Sequence, residues 1–360
     1  MCLKGEFNNS KSEAFGEHIL TMLNGGALAI MISIGHRTGL FDIMDELPPS
    51  SSEQIAEAAG LNERYVREWL GALTTGKIVD YDPETKKYNI PVEHAVYLTR
   101  KSGPDNIGVF SQYIPLMGTV EDKIIECFKN GGGISYTEYT RFHEVMAEDS
   151  EQSIVSSLID VILPSIPGIV EKLNKGISVI DLGCGRGKAV NLMASLFPKS
   201  KFTGYDLSEK AIEFAKRDSN KMKINNIRFE TVDLTYFHEI AAENSFDFIT
   251  TFDAVHDQAR PDNLLKGIYK ALKNDGTYLM QDISASGEPH KNMELPVGPM
   301  LYTISTMHCM PVSLSQGGFG LGTMWGREKA MEMLSEAGFN KIDIVNFDHD
   351  FQNDYYIIKK

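Results

Sequence analysis

The sequence has few cysteines and no apolar run long enough to cross a bilayer. Its four cysteines, at positions 2, 127, 184 and 309, form no CxxC pair, a pattern typical of a reducing compartment. Residues 1–18 lack the apolar core of a secretory signal. The apolar stretch at 25–35 is too short to span a bilayer and is expected to be a buried helix. We therefore expect a cytoplasmic protein.

Positive charge is also scarce. Lys and Arg number 35 against 49 Asp and Glu, which gives a net charge of −14 over 360 residues. Nucleic acids and anionic membranes both favour basic surfaces. The composition therefore predicts no nucleic-acid partner and no membrane partner.

The first hundred residues have the pattern of a winged helix–turn–helix. Residues 12–46 predict two helices broken near Gly35. A third helix, with Glu53 in its first turn, is bounded by serines and Gly60, and Asn62 begins a fourth. The apolar face of this fourth helix comprises Tyr65, Val66, Trp69, Leu70 and Leu73. Two alternating runs around an Asp-Pro-Glu-Thr turn then predict a hairpin.

A winged helix suggests DNA binding, but the charges oppose it. Recognition helices present basic and amide side chains to DNA, whereas the two arginines of the fourth helix are offset by Glu63 and Glu68. Residues 1–100 contain nine basic and fourteen acidic side chains. We therefore expect this domain to serve packing, dimerisation or the walling of a pocket.

From residue 176 onward, strand-like and helix-like runs alternate. This alternation predicts an α/β fold in which helices cover both faces of a parallel sheet. The last two strand-like runs have no helix between them and predict an antiparallel pair at the edge. We predict three parts: a winged-helix domain at 1–100, a helical linker or lid at 101–175, and a ligand-binding domain at 176–360.

The run VIDLGCGRGKAV at 179–190 places three glycines directly after a strand. A phosphate-binding loop needs GxxxxGK[ST], but Leu182 stands where its first glycine belongs, and Ala189 lacks the hydroxyl. The dinucleotide fingerprint GxGxxG fails at Lys188. A third pattern fits, because carboxylates end three successive strands. They are Asp181, Asp206 and Asp233.

This arrangement resembles the class I S-adenosylmethionine-dependent methyltransferases over residues 176–360. The resemblance implies a Rossmann-like seven-stranded sheet and S-adenosylmethionine as the cofactor. Asp206 is then expected to accept hydrogen bonds from the ribose hydroxyls, and Asp181 to help hold the ammonium. Asp233 is expected to read the adenine amine, with Leu234 against the ring. The expected cofactor-binding residues are Asp181, Gly183, Cys184, Gly185, Gly187, Asp206, Leu207, Asp233, Leu234 and Asp253.

The fourth strand end, TTFDAVHDQARP, supplies the candidate catalytic residues His256 and Asp257. Histidine is the commonest general base near neutral pH. The alternative is that His256 braces the helix that starts at Pro261. Arg260 is expected to pair with Asp257 or to contact an anionic acceptor.

The whole chain is similar to bacterial and invertebrate methyltransferases with an Rv2258c-like winged-helix domain. The N-terminal winged helix, FDAVHDQARP and GFGLGTMWGREKAMEMLSEAGF carry this resemblance. It implies a homodimer, since the N-terminal domain dimerises in small-molecule O-methyltransferases of similar plan. Those enzymes place a catalytic histidine after strand five, whereas MQDISASGEPH puts His290 eight residues past Asp282. Both the base and the acceptor atom therefore stay open.

The insertion at 283–326 is expected to form a lid over the methyl acceptor. Its methionines indicate an adaptable, apolar pocket, with ordinary core as the alternative. The expected substrate-pocket residues are Tyr113, Met300, Tyr302, Met307 and His308. No metal site is expected, because the adjacent His308 and Cys309 do not supply the three or four converging ligands that zinc needs.

These features predict methyl transfer from S-adenosylmethionine to the hydroxyl or thiol of a small molecule. A thiol acceptor needs little machinery, because a thiolate is already a strong nucleophile. Two alternatives stay open: a transcriptional regulator that senses the methyl donor, and a protein methyltransferase. The acidic winged helix opposes the first, and a long enclosed insertion opposes the second.

Overall fold

A computed structural model describes residues 7–360. Residues 1–6 lie outside the described part, and with them Cys2 and the first third of the segment 1–18 that was predicted to lack a secretory signal. The chain divides into two compact units. The first ends at Pro115, and the second comprises Leu116–Lys360. The predicted three-part division stays a prediction.

The first unit contains five helices and a two-stranded hairpin. Its helices are α1 Asn9–Thr38, α2 Leu40–Glu46, α3 Ser52–Ala59, α4 Glu63–Thr75 and α5 Val92–Ala95, with short 3-10 segments at Arg100–Asp105 and Ile107–Gln112. Its strands are β1 Asp80–Asp82 and β2 Lys87–Asn89, which pair antiparallel. The predicted winged helix–turn–helix order is therefore confirmed.

The break between α1 and α2 falls at Gly39, not at Gly35 as predicted. Gly39 adopts a left-handed conformation with φ of 73°, which ends α1. Gly35 instead lies inside the helix, where a Cβ would approach the Trp69 ring to 2.5 Å and the Phe41 ring to 2.6 Å. This glycine therefore permits close packing rather than a turn.

The capping predictions for α3 and α4 are confirmed, with one error on the face of α4. Ser51 and Gln54 form a reciprocal capping box, and the Asn62 side chain accepts from the Arg64 amide. Four of the five predicted apolar positions of α4 are buried, but Tyr65 is 80% exposed. The helical period placed Tyr65 at the margin of the apolar face, where burial depends on the neighbouring elements.

The expectation of a buried helix at 25–35 is wrong for most of that stretch. It lies within the 30-residue helix α1, whose buried residues are Ser33, Gly35 and His36. Within the described part of the chain, α1 is long and apolar enough to cross a membrane by length and composition alone. A bent helical pair at 142–175 passes the same test if it is counted as one span.

The second unit is an α/β domain whose helices precede, follow and separate the strands of one sheet. The helix α6 Tyr113–Gly118 leads into it. The others are α7 Glu121–Asn130, α8 Phe142–Ser150, α9 Ile169–Lys175, α10 Lys188–Leu196, α11 Glu209–Lys221, α12 Phe237–Ile240, α13 Pro261–Ala271, α14 Gly298–Ile304, α15 Met310–Ser315 and α16 Gly326–Glu336. Segments of π-helix occur at Glu151–Val155, Leu158–Ile162 and Ser305–Cys309.

The sheet has seven strands in the order β5-β4-β3-β6-β7-β9-β8. They are β3 Ser178–Leu182, β4 Lys201–Asp206, β5 Ile227–Thr231, β6 Phe246–Phe252, β7 Leu272–Ile283, β8 Lys341–Phe347 and β9 Asp350–Lys359. β9 runs antiparallel to both neighbours, while β3 to β7 are parallel. The predicted α/β fold with a Rossmann-like seven-stranded sheet is confirmed.

Both faces of the sheet are covered, because successive side chains of a strand point to opposite faces. Val179 of β3 packs in one apolar cluster with helices α10 and α11, while Ile180 packs in a second cluster with α13 and α16. The strand order reverses between β3 and β6, where the chain turns from one half of the sheet to the other. Ligands of open α/β sheets bind beside the carboxyl ends of strands at such a point.

Candidate active site

The loop after β3 presents bare backbone at the reversal point. Gly183 has φ of 75°, and a Cβ there would lie 2.6 Å from the Cβ of Ala254. Gly185 has φ of 51°, and a Cβ there would meet nothing within 4 Å. The amides of Gly183 and Cys184 donate to the Tyr205 carbonyl, which ties the loop to the end of β4. The loop is therefore fixed in place and open on one side.

A cavity lies on that open side. Asp181, Gly183 and Gly185 line it from the sheet, and His143 and Ser150 line it from α8 and its end. The sequence analysis missed these α8 residues, because no motif or spacing marks them. They reach the loop only through tertiary packing of a segment more than 30 residues earlier in the chain.

Asp181 and Asp206 are the two carboxylates nearest the glycine loop. Asp181 is buried, and the Thr250 hydroxyl donates to it at 2.7 Å. Burial raises its pKa to about 7, and the charge of Asp206 adds to this effect. Asp206 accepts from the Gly185 and Ser208 amides at 2.8 Å each. Burial raises its pKa despite these bonds. Both carboxylates would ionise more readily beside a cation.

The other predicted cofactor residues differ in their surroundings. Asp233 is exposed and caps the 3-10 segment Leu234–Tyr236 by accepting from the Thr235 amide. Leu234 is buried in the second apolar cluster, and Leu207 is about half exposed. A Cβ on Gly187 would lie 2.8 Å from Phe229, so this glycine lets α10 pack closely. Burial raises the pKa of the Cys184 thiol well above its usual value.

His256 is a buried histidine held by a carboxylate. Its Nδ1 donates to Asp282 Oδ1 at 2.9 Å, and Asp282 comes from the end of β7. The same oxygen accepts from the Trp325 indole at 3.0 Å and from the Ile283 amide at 2.9 Å. Burial alone would lower the pKa of His256, but Asp282 and Cys309 together raise it well above 6.5. The imidazole is therefore fixed in orientation and favours the protonated form.

The other ring nitrogen of His256 faces a thiol. Nε2 lies 3.4 Å from Cys309 Sγ, and the Thr323 hydroxyl donates to the same sulfur at 3.1 Å. Sequence reasoning missed both Asp282 and Cys309 as partners of this histidine. Asp282 lies at the end of β7, the parallel neighbour of β6. Because parallel neighbouring strands end at the same edge of the sheet, this position could have indicated that Asp282 lies near His256.

Two further carboxylates follow β6. Asp253 adopts φ of 51°, an uncommon conformation for a residue with a side chain, and burial raises its pKa to about 6. Burial raises the pKa of Asp257 to about 7, and this side chain accepts from Gln258. The expected pair of Asp257 with Arg260 is not formed. Arg260 instead binds Asp262 at 2.8 and 2.9 Å, because Asp262 opens α13 directly beside it.

His308 lies in a separate aromatic group. Its ring stacks on Phe142 with centroids 3.5 Å apart and meets Tyr139 edge-on at 4.6 Å. It is fully buried, and neither ring nitrogen has a hydrogen-bond partner within the described residues. Burial lowers its pKa well below 6.5. His308 is therefore a neutral imidazole with two unused polar atoms.

The remaining predicted pocket residues are spread over different places. The Met307 carbonyl accepts from the Tyr139 hydroxyl at 2.6 Å, so Met307 lies beside the aromatic group. Tyr302 packs in a small apolar cluster and accepts from Asn292 at 3.1 Å. Met300 is half-buried on α14. Tyr113 is buried at the end of the first unit, and its role in a pocket stays a prediction.

Three ligand atoms also converge in the described part of the chain as a metal ion would require. They belong to Asp253, His256 and Asp282 and lie within 4.8 Å of one another. The hydrogen bond between His256 Nδ1 and Asp282 already uses two of these groups. The sequence analysis did not foresee this grouping, because it arises from two neighbouring strand ends.

Two domain families match the chain. Residues 26–100 match the Rv2258c-like winged HTH domain, and residues 173–338 match a methyltransferase domain. The chain is 28% identical over 112 residues to (S)-coclaurine N-methyltransferase of Papaver somniferum, covering 31% of each protein. It is 26% identical over 152 residues to malonyl-[acyl-carrier protein] O-methyltransferase of Bacillus cereus, covering 42% of this chain and 49% of that one. The chain spans less than half the length of these curated relatives.

Solved structures share the fold over nearly the whole chain. The mitomycin 7-O-methyltransferase MmcR has a TM-score of 0.68 and 16% identity, with 98% of this chain and 100% of that chain covered. Human N-acetylserotonin methyltransferase, solved in complex with SAM, has a TM-score of 0.66 and 17% identity, with 99% of each chain covered. At such identities the likeness concerns the fold alone.

The fold, the glycine loop and the strand-end carboxylates define a class I methyltransferase domain. This chain combines that domain with an Rv2258c-like winged helix–turn–helix domain, as the sequence resemblance predicted.

Proposed function

We propose that the chain is an S-adenosylmethionine-dependent methyltransferase that acts on the hydroxyl or thiol of a small molecule. The observation that carries the proposal is the buried His256–Asp282 pair. His256 lies two residues after Ala254, the residue that packs against Gly183 of the glycine loop. A base held this close to the donor loop suits an acceptor that must lose a proton. The methyltransferase domain match supports the same reaction.

The residues around the glycine loop fit S-adenosylmethionine. This cofactor carries a sulfonium and an ammonium, and it supplies the methyl group when bound. Asp181 is a buried and Asp206 a partly buried carboxylate, both have raised pKa values, and a cationic ligand would stabilise their ionised forms. Gly185 leaves open space beside them. Asp206 retains acceptor capacity for ribose hydroxyls, because a carboxylate has about four lone-pair sites.

The wider cofactor site follows from these two anchors. Asp181 holds the ammonium end, and Asp206 holds the ribose. Asp233, at the end of the next strand, reads the adenine amine. The remaining contributors to the cofactor site are Gly183, Cys184, Gly185, Gly187, Leu207, Leu234 and Asp253. His143 and Ser150 cover the site from α8.

His256 takes the acceptor proton in its neutral form, in which Nε2 carries no hydrogen, and Asp282 positions its ring. Because the pKa of His256 is raised, this neutral form becomes more populated as pH rises. Asp282 fixes the imidazole through Nδ1, so Nε2 is the atom left to receive a proton. Nε2 contacts Cys309 in the structure, and the acceptor replaces this contact when it binds. Asp257, whose pKa is near 7, is the second candidate base beside the same strand end. Methyl transfer itself is an in-line displacement, for which the protein supplies alignment and exclusion of water.

The acceptor pocket is formed by aromatic and sulfur-containing side chains. His308 is neutral and can donate from one nitrogen and accept at the other. Phe142 and Tyr139 flank it. Met307 lies beside this group, because its carbonyl accepts from the Tyr139 hydroxyl, and Met300 and Tyr302 remain proposed pocket residues of the second unit. Apolar surroundings with one neutral polar group suit a small uncharged acceptor.

Incubation with methyl-labelled S-adenosylmethionine and a panel of thiols and phenols tests the proposal. We expect label on a small thiol or phenol, detected by chromatography and mass spectrometry. Label on cellular protein, or salt-dependent binding of the chain to DNA with no methyl transfer, would contradict it.

The ion pairs of Arg64 with Glu68 and of Arg67 with Glu63 support a structural role for the winged helix.

The location and assembly are also proposals. The three cysteines of the described region are free, in line with a reducing compartment, and we place the protein in the cytoplasm. Recovery with washed membranes after cell fractionation would contradict this placement.

We further propose a homodimer, because α1 exposes large apolar side chains along much of its length. They include Phe15, Leu20, Met22 and Leu23.

A further inference from the structure

We propose that Cys309 is a nucleophilic thiol and that Cys309, His256 and Asp282 form a cysteine–histidine–aspartate triad. The sulfur lies 3.4 Å from His256 Nε2, and His256 Nδ1 lies 2.9 Å from Asp282 Oδ1. This is the order of groups found where a histidine activates a nucleophile and a third residue orients the histidine. The inference goes beyond methyl transfer, because it requires no methyl donor.

Each member of the triad is held by further contacts. Asp282 Oδ1 accepts from the Trp325 indole and the Ile283 amide, so the carboxylate cannot rotate away from His256. The Thr323 hydroxyl donates to Cys309 Sγ at 3.1 Å. The sulfur therefore contacts a hydroxyl donor on one side and, on the other, the imidazole nitrogen that can take its proton.

The other two described cysteines lack this environment. Cys184 is the donor of a long contact to the Gly185 carbonyl at 3.9 Å, and burial disfavours its thiolate. Cys127 lies on α7 beside a surface groove lined by charged side chains, and no histidine lines that groove. Of the cysteines in residues 7–360, Cys309 is therefore the one whose surroundings favour nucleophilic attack. The three thiols provide an internal comparison within one molecule.

The ligand class is a small, uncharged, soft carbon electrophile, such as an alkyl halide or an α,β-unsaturated carbonyl compound. Cys309 is 5% exposed, and such burial disfavours large or charged reagents. With an alkyl iodide, the Sγ–C bond forms as the C–I bond breaks, and iodide leaves. The proton that Sγ gives up resides on His256 Nε2. The product is a thioether on Cys309.

Alkylation by iodoacetamide, followed by peptide mass spectrometry, tests the triad. The wild-type chain is treated at pH 7 without methyl donor or acceptor, so the result is independent of methyl transfer. We expect Cys309 to react at least about tenfold faster than Cys184 in the same molecule. We expect His256→Gln and Asp282→Asn to slow the reaction of Cys309 about tenfold while leaving Cys127 unchanged.

Thr323→Val tests the proposed activation of Cys309 if His256→Gln or Asp282→Asn does not fold. It removes one donor to the sulfur and conserves side-chain shape, so the fold should persist, and we expect a severalfold slower reaction of Cys309. Thermal unfolding followed by circular dichroism checks the fold of each variant. In guanidinium chloride all variants should react alike at Cys309. No reaction at Cys309 in the native wild type, or equal rates in wild type, His256→Gln and Thr323→Val, would overturn the proposal.

Discussion

At the scale of single residues, the site brings together several carboxyl groups that water solvates poorly. Asp181 is buried and Asp253 and Asp257 are partly buried, and this burial raises their pKa values to about 7, 6 and 7. Each therefore holds a proton for part of the neutral range in the ligand-free chain. A cationic cofactor favours the ionised form, so binding and proton release are linked.

This linkage gives the first prediction, a pH dependence of donor binding. The pKa values of these acids are raised without ligand, and a bound cation lowers them. The affinity for S-adenosylmethionine should therefore rise as pH increases from 5.5 to 8, with protons released on binding. Calorimetry in buffers of different ionisation enthalpy measures the proton count. An affinity that stays constant over this range would show that these carboxylates do not face the donor.

The second prediction concerns the base. His256→Gln should lower kcat by about 10²–10⁴-fold, because general base catalysis is typically of this size, and donor affinity should change little. Asp282→Asn should lower kcat as well, because the imidazolium loses its charged partner. His290→Gln is the matched control, since His290 is largely exposed and should be dispensable. A wild-type rate in His256→Gln would transfer the role to Asp257, whose Asp257→Asn variant is measured alongside.

At the scale of elements, the glycine loop depends on a conformation and a contact at once. Gly183 has φ of 75° and leaves no room for a Cβ against Ala254. The third prediction is that Gly183→Ala lowers the free energy of unfolding by about 1–3 kcal/mol and weakens donor binding. Gly71→Ala is the control, because Gly71 lies exposed on α4 with open space around it, and helix propensity should make it stabilising by about 0.5–1 kcal/mol. Chemical denaturation measures both values. Equal stability of wild type and Gly183→Ala would contradict this reading of the loop.

The elements themselves were largely predictable, because they follow from local patterns. The serine cap of α3, the hairpin around the Asp-Pro-Glu-Thr turn and the alternation of strands and helices after 176 are all present in the structure as predicted. The break at Gly39 was misplaced because two glycines lie within five residues, and only tertiary packing shows that Gly35 is needed against Trp69. The local sequence does not distinguish a glycine that ends a helix from one that allows an aromatic ring to pack against the helix.

The site was predictable only where it lies at strand ends. The positions of His256 and the three carboxylates near strand ends could be predicted, because parallel strands bring their carboxyl ends to one edge. Their roles stay predictions. Asp282 and Cys309 contact His256 across 26 and 53 residues of chain, and no periodicity encodes those contacts. The α8 side chains reach the cavity in the same way. These contacts depend on how segments pack, which a single sequence does not specify.

At the scale of the whole molecule, the proposed homodimer depends on the long helix α1. Its exposed apolar side chains would favour burial, and a second copy of the chain offers an equivalent surface. The fourth prediction is that the double substitution Leu20→Glu with Leu23→Glu converts the dimer into a monomer. The reason is that the proposed interface would then bury unpaired carboxylates, which is costly. Light scattering coupled to size exclusion measures the mass. Lys11→Glu, an exposed charge change near the start of α1, is the control. A wild-type monomer would contradict the homodimer, and wild type that binds lipid vesicles would assign α1 to a membrane instead.

The central claim is that the strand-end carboxylates bind S-adenosylmethionine, and titration calorimetry tests it most directly. The account predicts saturable binding of about one donor per chain by the wild type, with no binding of a nicotinamide dinucleotide, because Lys188 breaks that fingerprint. Asp206→Ala should abolish donor binding, whereas Asp343→Ala, an exposed position on β8, should bind as the wild type does. A wild-type chain that does not bind the donor, or an Asp206→Ala variant with unchanged affinity, would contradict the account.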